Sequence, residues 1–251
     1  MRAVETLIVF LAMIVLIVAA GGWAYQFALV QARAGEARYA IGVMLQTAEA
    51  VDNIVFSRGG SASLQFKFQY GGVVIRDEDK VRCTVTVYVE DQPYTPAPAL
   101  SYNYTSMRYF IDQPLFTPNP IYDRGFEDKI CYRIDKGEEP SIVYHYTTKE
   151  GRTYVVYYLK PFASVTTSQG KTTVHITFVD FQSFSTKGQS VVFTLSNQTT
   201  SSLYLPISSN STRVRVQFSD VDVLFVGTLK AGDVLEVYVH QIQISSSLSE
   251  G

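Results

Sequence analysis

LIVFLAMIVLIVAA, residues 7–20, is the stretch whose reading decides the fold. No charge occurs from Thr6 to Ala32, and the only clearly polar side chains there are Thr6, Gln26 and Gln31. A helix crossing a hydrocarbon layer needs about 20 apolar residues. Leu7 to Tyr25 supplies 19. A segment apolar on every side of a helix needs lipid or other helices all around it.

Outward from that stretch the helical signal continues. Trp23 to Ser57 is rich in Ala, Leu, Gln, Glu and Met, all good helix formers, and no proline occurs before Pro93. Ile41, Met44, Leu45, Ala48, Val51 and Val55 recur at helical spacing, with Gln46, Glu49 and Asn53 mostly on the other side. One helix from about Ala3 to about Val55 is therefore expected, roughly 80 Å long at 1.5 Å per residue. Its first half is apolar all round; its second half carries an apolar stripe that a partner on one side can cover. Ser57-Arg58-Gly59-Gly60 offers the terminating turn. Ala20, Ala24, Ala28, Ala32 and Ala40 form an i+4 ridge, interrupted by Glu36, along which helix backbones can approach closely. Gly21-Gly22 is a candidate bend, since each glycine weakens a helix by about 1 kcal/mol relative to Ala. A second reading makes the segment a removable export signal: Arg2 is the basic region, Leu7 to Val18 the apolar region, and Ala19, Ala20, Gly21, Gly22 and Ala24 supply small residues for cleavage. Against it stands the helical pattern that runs on past any such cut.

From Ser61 the period switches from about 3.6 to 2. Leu64, Phe66, Phe68 and Tyr70 alternate with polar residues, as do Val81, Cys83, Val85, Val87 and Val89. Similar runs lie at 129–134, 141–147, 153–159, 172–181, 190–196, 212–218, 220–227 and 233–244, separated by Gly, Pro, Asp and Ser turns. The fold class expected is α+β: a long N-terminal helix (1–57) followed by an antiparallel β-sandwich, one large or two small. The β parts span 61–162 and 163–246, with a boundary near Ala163 to Lys171 and a tail at 247–251. The stretch from Gln92 to Pro120, holding six prolines, reads as an irregular surface loop.

Balanced charge, 21 Lys+Arg against 23 Asp+Glu, gives no footprint for nucleic acid. Cys83 and Cys131 are a candidate disulfide for an exported protein, closing 47 intervening residues for about 3–4 kcal/mol; the alternative is two separate buried thiols. Asn103-Tyr-Thr, Asn197-Gln-Thr and Asn210-Ser-Thr are candidate glycosylation sites, the last two flanking a Ser-rich stretch read as a turn. His145, His175 and His240 lie in separate strand runs with no metal-ligand spacing. Asp77, Glu78 and Asp79 join two strand candidates and read as a solvated turn, as does Asp123-Arg-Gly-Phe-Glu-Asp; neither completes a calcium loop. No GxSxG or P-loop is present, so no catalytic residue, cofactor or metal is assigned and no enzymatic activity is expected.

The layout resembles type IV pilin-like proteins, particularly the archaeal pilin and archaellin group. The matching residues are Arg2-Ala3 before Val4, then TLIVFLAMIVLIVAAGGWAYQFALVQ. The resemblance covers about 55 residues by pattern and the remainder by β-rich character. A prepilin leader here is only Met1 to Ala3, unusually short. Glu5 is fifth in the chain only if nothing is removed; a carboxylate in a first turn also interacts favourably with the helix dipole. The resemblance implies a subunit that sits in the membrane before assembly and then places its helix in the core of an extracellular filament, with its own copies or other filament subunits as partners. The alternative is a membrane-anchored surface protein that never polymerises, its β part binding a surface-layer or adhesion partner. Either reading locates the chain at the cell surface.

Overall fold

The computed structural model describes residues 2–56, 61–65, 67–94, 99–126, 129–181, 184–186, 190–208, 211–218 and 222–248, with the backbone alone at 2–5, 65, 76–84, 99–105, 184–186, 190–191, 195–199, 222 and 246–248. One helix, α1, runs Arg2–Phe56 and is continuous through Gly21-Gly22. The expected end, Ser57 to Gly60, lies outside the described residues.

Among the described residues fifteen strands follow: β1 (Ser61–Gln65), β2 (Gly72–Val89), β3 (Gln92–Tyr94), β4 (Ala99–Ile111), β5 (Ile121–Arg124), β6 (Tyr132–Arg133), β7 (Ser141–Thr147), β8 (Thr153–Leu159), β9 (Phe162–Ser168), β10 (Lys171–Phe181), β11 (Phe184–Thr186), β12 (Ser190–Pro206), β13 (Thr212–Phe218), β14 (Asp222–Leu229) and β15 (Val234–Leu248). One sheet has the order β1–β12–β15–β10–β9–β6; the other has β14–β13–β2–β4–β8–β7–β5, with β3 and β11 also paired to β2. The fold is α+β, as the change of period required. Pairing is mostly antiparallel, but β10 with β15 and β6 with β9 are parallel, so the first sheet is mixed.

Several expectations need correction. The acidic run Asp77–Asp79 does not turn the chain: β2 passes straight through it, with a bulge between Asp77 and Lys80. A bulge absorbs one extra residue by bending the strand without ending it. The proline-rich interval 92–120 holds β3 and β4, the latter a 13-residue strand free of proline. The Ser-rich stretch after Asn197 is the second half of β12, which pairs with β15 as far as Pro206. The stretch Ala163 to Lys171, where a boundary is expected, falls within the β9–β10 hairpin. Both sheets draw strands from both sides of that point.

Among the described residues two hydrophobic cores result. The first joins the C-terminal half of α1 to Val73, Ile75, Met107, Tyr109, Tyr157, Phe181, Phe193, Ile242 and Ile244. The second gathers Val85, Val87, Val174, Ile176, Phe178, Val214, Val216, Phe218, Leu235 and Val237. The long strands β2, β10, β12 and β15 enter both, and they change face between them. In β10 the second core takes Val174, Ile176 and Phe178, while the first takes Val179 and Phe181. The β10–β15 register is unbroken, so this shift from even to odd numbers means opposite faces of the sheet. β15 shifts in step, from Val237 and Val239 to Ile242 and Ile244. β2 reaches the same end by its bulge: Val73 and Ile75 and then Val85 and Val87 are all odd-numbered, and the extra residue between them reverses the face.

Candidate functional site: the bare rod and its docking seam

The helix divides into two halves of similar composition and opposite surroundings. From Thr6 to Ala28 every described side chain is exposed. Leu7, Ile8, Val9, Phe10, Leu11, Met13, Ile14, Val15, Leu16, Ile17 and Val18 are each 42 to 70% exposed. Covering a large apolar side chain is worth about 1.5–3 kcal/mol. Scaled by their exposure, these eleven hold about 10–20 kcal/mol of unrealised burial. That matches or exceeds the roughly 5–15 kcal/mol stability of an ordinary domain, a strong drive to cover this surface with lipid or other helices. By length and composition the helix can cross a membrane. Trp23, 73% exposed and stacked on Phe27 at 5.8 Å, and Tyr25 follow the apolar stretch. Ala20, Ala24, Ala28 and Ala32 are exposed as well. The side chain of Glu5 lies outside the described residues.

The second half lies against the β body. Ala37, Ala40, Val43, Met44, Ala48, Val51, Ile54 and Val55 are buried, while Gln46, Glu49 and Asn53 face water. The expected stripe is thus present, widened by Ala37, Ala40, Val43 and Ile54; Ile41 and Leu45 lie at its margin. Thr47 is buried on the same face and gives its hydroxyl proton to the Val43 carbonyl at 2.8 Å, so it needs no partner from the sheet.

Two carboxylates close the ends of this seam. The Glu36 carboxylate accepts the successive backbone N–H groups of Gln69, Tyr70 and Gly71 at 2.6, 3.0 and 2.7 Å, and the Tyr109 hydroxyl at 3.0 Å. Consecutive N–H groups converging on one anion form a nest. Gly71 is needed there: a Cβ would come 2.3 Å from Tyr109 Cε2. Burial, with the Glu36 charge beside it, holds the Tyr109 phenol far above its usual range. Arg33 adds a long contact to Gln113 Oε1, 3.4 Å, and lies 5.8 Å from the Tyr70 ring centroid. Asp52, about 24 Å further along at 1.5 Å per residue, accepts the Ser141 hydroxyl at 2.6 Å and Arg124 Nη2 at 2.9 Å. Desolvation pushes the Asp52 carboxyl above the ordinary aspartate range, against the pull of Ser141 and Arg124; Glu139, 3.6 Å from Arg124, adds to the rise. The buried Tyr157 phenol is raised in turn by its own burial and by the Asp52 charge.

Sequence reading missed both. Glu36 was visible as an interruption of an alanine ridge, and its role depends on a loop 33 residues away in the chain. Asp52 sits on the apolar stripe beside Val51 and Val55, and a charge at such a position is itself a signal of a buried partner.

The remaining candidate residues are scattered. Asn103 lies in β4 opposite Lys80, and Asn197 in β12 at a bulge opposite Gln243, with only the backbone described at both; Asn210 lies outside the described residues. Cys131 is buried in the second core, and the side chain of Cys83, hence the expected bridge, lies outside the described residues. His145 Nδ1 is 2.8 Å from Asp123 Oδ2, which ties β7 to β5. His175 and His240, far apart in sequence, come together: Nδ1 of the first is 3.0 Å from Nε2 of the second. Among the described residues no group of three or more His, Cys, Asp or Glu is placed to hold a metal ion.

The chain matches no protein-family model, no curated protein and no solved structure. The class that the fold and the rod define is an α+β protein with an apolar N-terminal helix long enough to span a bilayer.

Proposed function

We propose that the chain is a structural subunit of a type IV pilus-like or archaellum-like surface filament, held in the membrane by its N-terminal helix before assembly. The observation that carries this reading is the division of α1 into a half docked from Ala37 to Val55 and a half bare on all sides. Extracted from lipid, bare halves from many copies would cover one another, and the β bodies would coat the outside. The docked half supports a retained helix: its stripe, Glu36 and Asp52 fix the rod to the body, so the bare half projects from a defined base. Imaging of sheared cell-surface material tests it. Fibres composed of this chain, with the helix intact by mass spectrometry of the mature N-terminus, are the expected result. A mature chain starting near Gly21 overturns it.

A second reading is a membrane-anchored surface protein that does not polymerise. Trp23 and Tyr25 favour it, because aromatic side chains at the end of an apolar span sit well at a lipid–water boundary. Retention of the intact chain in membranes, with no fibres, would select this reading over the first.

A further inference from the structure

Away from the rod, the face of the mixed sheet opposite the second core carries a ring cluster. Parallel pairing of β10 with β15 sets His175 beside Tyr238 and Thr177 beside His240. β12 places Thr200 on the other side of His240. Side chains of paired residues share a face, as do those two apart on a strand, so His175, Tyr238, His240 and Thr200 project together. All three rings are half-buried and Thr200 is exposed.

His175 Nδ1 and His240 Nε2 are 3.0 Å apart, with ring planes only 15° from parallel. His240 Nδ1 is 3.0 Å from Thr200 Oγ1. When Nδ1–H of His240 donates to that hydroxyl, Nε2 is left as the lone-pair nitrogen and accepts Nδ1–H of His175. An oxygen partner on one ring nitrogen fixes the tautomer and the ring's orientation, as outer-shell partners do at metal-bound histidines.

We propose that His175 and His240 form a two-imidazole site for a divalent transition cation, copper(II) or nickel(II) ahead of zinc(II), on this sheet face. Two nitrogens each about 2.05 Å from a metal are about 2.9 Å apart at 90°, and about 3.3 Å apart at the tetrahedral angle. In the hydrogen-bonded state the two nitrogens are 3.0 Å apart, close enough for both to reach one ion after a rearrangement, and copper(II) heads the ordinary order of divalent affinity. The rings now point at one another along the shared hydrogen bond, so binding requires them to pivot until both lone pairs converge on the solvent side. His175 moves its proton from Nδ1 to Nε2 through water, and no net proton is lost from the neutral pair. Water completes the coordination shell. Glu236, held by Lys171 Nζ at 2.8 Å and by the Tyr238 hydroxyl at 2.9 Å, lies on the same face, as half of a neutral ion pair, and is not a ligand. The bound ion would cross-link two strands that enter both cores.

The test is titration of the detergent-solubilised full chain with copper(II) or nickel(II) chloride in a non-chelating buffer, followed by calorimetry and, for copper, by electron paramagnetic resonance. One equivalent is expected to bind with coupling to two imidazole nitrogens. His175→Ala and His240→Ala should each weaken binding by about tenfold or more, which is 1.4 kcal/mol or more, and leave one coupled nitrogen. Glu236→Gln should keep both nitrogens. The metal should raise the thermal midpoint of the wild-type chain by mass action and not that of the double variant. Equal binding by wild type and the double variant, or copper spectra with no imidazole coupling in the wild-type chain, overturns the proposal.

Discussion

Residues 7–25 and residues 37–55 of α1 are both 19 residues long, both helical and both rich in apolar side chains, yet one is bare and the other is sealed against a sheet. The difference lies in how the apolar residues are arranged. In the first segment they occupy every direction around the axis, so no single surface can cover them. In the second they keep to a stripe, and the other side shows Gln46, Glu49 and Asn53 to water. The body covers the stripe and leaves the rest. Composition alone does not separate these fates; angular distribution does.

The comparison can be broken by matched truncations. Met44→Ala, in the sealed half, should destabilise the body by about 2–5 kcal/mol, the usual result of emptying a core site. Leu16→Ala, in the bare half, should change the unfolding midpoint of the body by no measurable amount. Equal effects in chemical denaturation would mean that the halves are not distinct. A charge probes the bare half from the other direction. Ile14→Lys near its centre should cost about 2.5–3.5 kcal/mol of membrane insertion, so membrane-bound or fibre-incorporated chain in a cell fractionation should fall steeply while the body stays folded.

The docking seam yields two smaller effects. Glu36→Gln keeps the shape but removes the charge that gathers three backbone N–H groups and the Tyr109 hydroxyl. A loss of about 1–2 kcal/mol is expected, below the full charge-assisted value because Glu36 is only half-buried. Faster amide exchange at Gln69 to Gly71 would locate the loss at the seam. Asp52 gives the smallest change and a defined sign. Its carboxyl is raised on folding, so the folded state binds this proton more tightly than the unfolded chain does. The corresponding stability is full below the ordinary value of 3.8 and is lost as pH rises through the raised one. Asp135 and Glu138, both lowered, act in the opposite direction. The readout is therefore the difference between wild type and Asp52→Asn. The wild type should lose stability relative to the variant as pH rises from about 4 to about 7. A flat difference would mean that Asp52 is not desolvated at the seam.

Much of the architecture was legible in order along the chain. Strands β7, β8 and β13 have the limits that alternation marks, and α1 ends within a residue of its expected limits. What failed has a common cause. The Asp77–Asp79 run, the proline-bearing 92–120 interval and the Ser-rich half of β12 hold residues that favour turns, so local preference marks them as breaks. They are strands because neighbouring strands offer hydrogen bonds at those positions. Local preference is worth tenths of a kcal/mol per residue, and a ladder of paired neighbours outweighs it. The metal-site candidate was invisible for a related reason: His175 and His240 are 65 positions apart, and only parallel pairing joins them.

By itself the sequence determined the rod, its division into an all-round apolar half and a striped half, and the turn to β structure after it. These follow from periodicity, which is a property of neighbours in the chain. Only the tertiary structure decided which loop clasps Glu36, which side chains meet Asp52, and that four long strands carry two cores on opposite faces. Those outcomes depend on strand partners and register, and one residue of slip would turn every side chain of a strand to the other face.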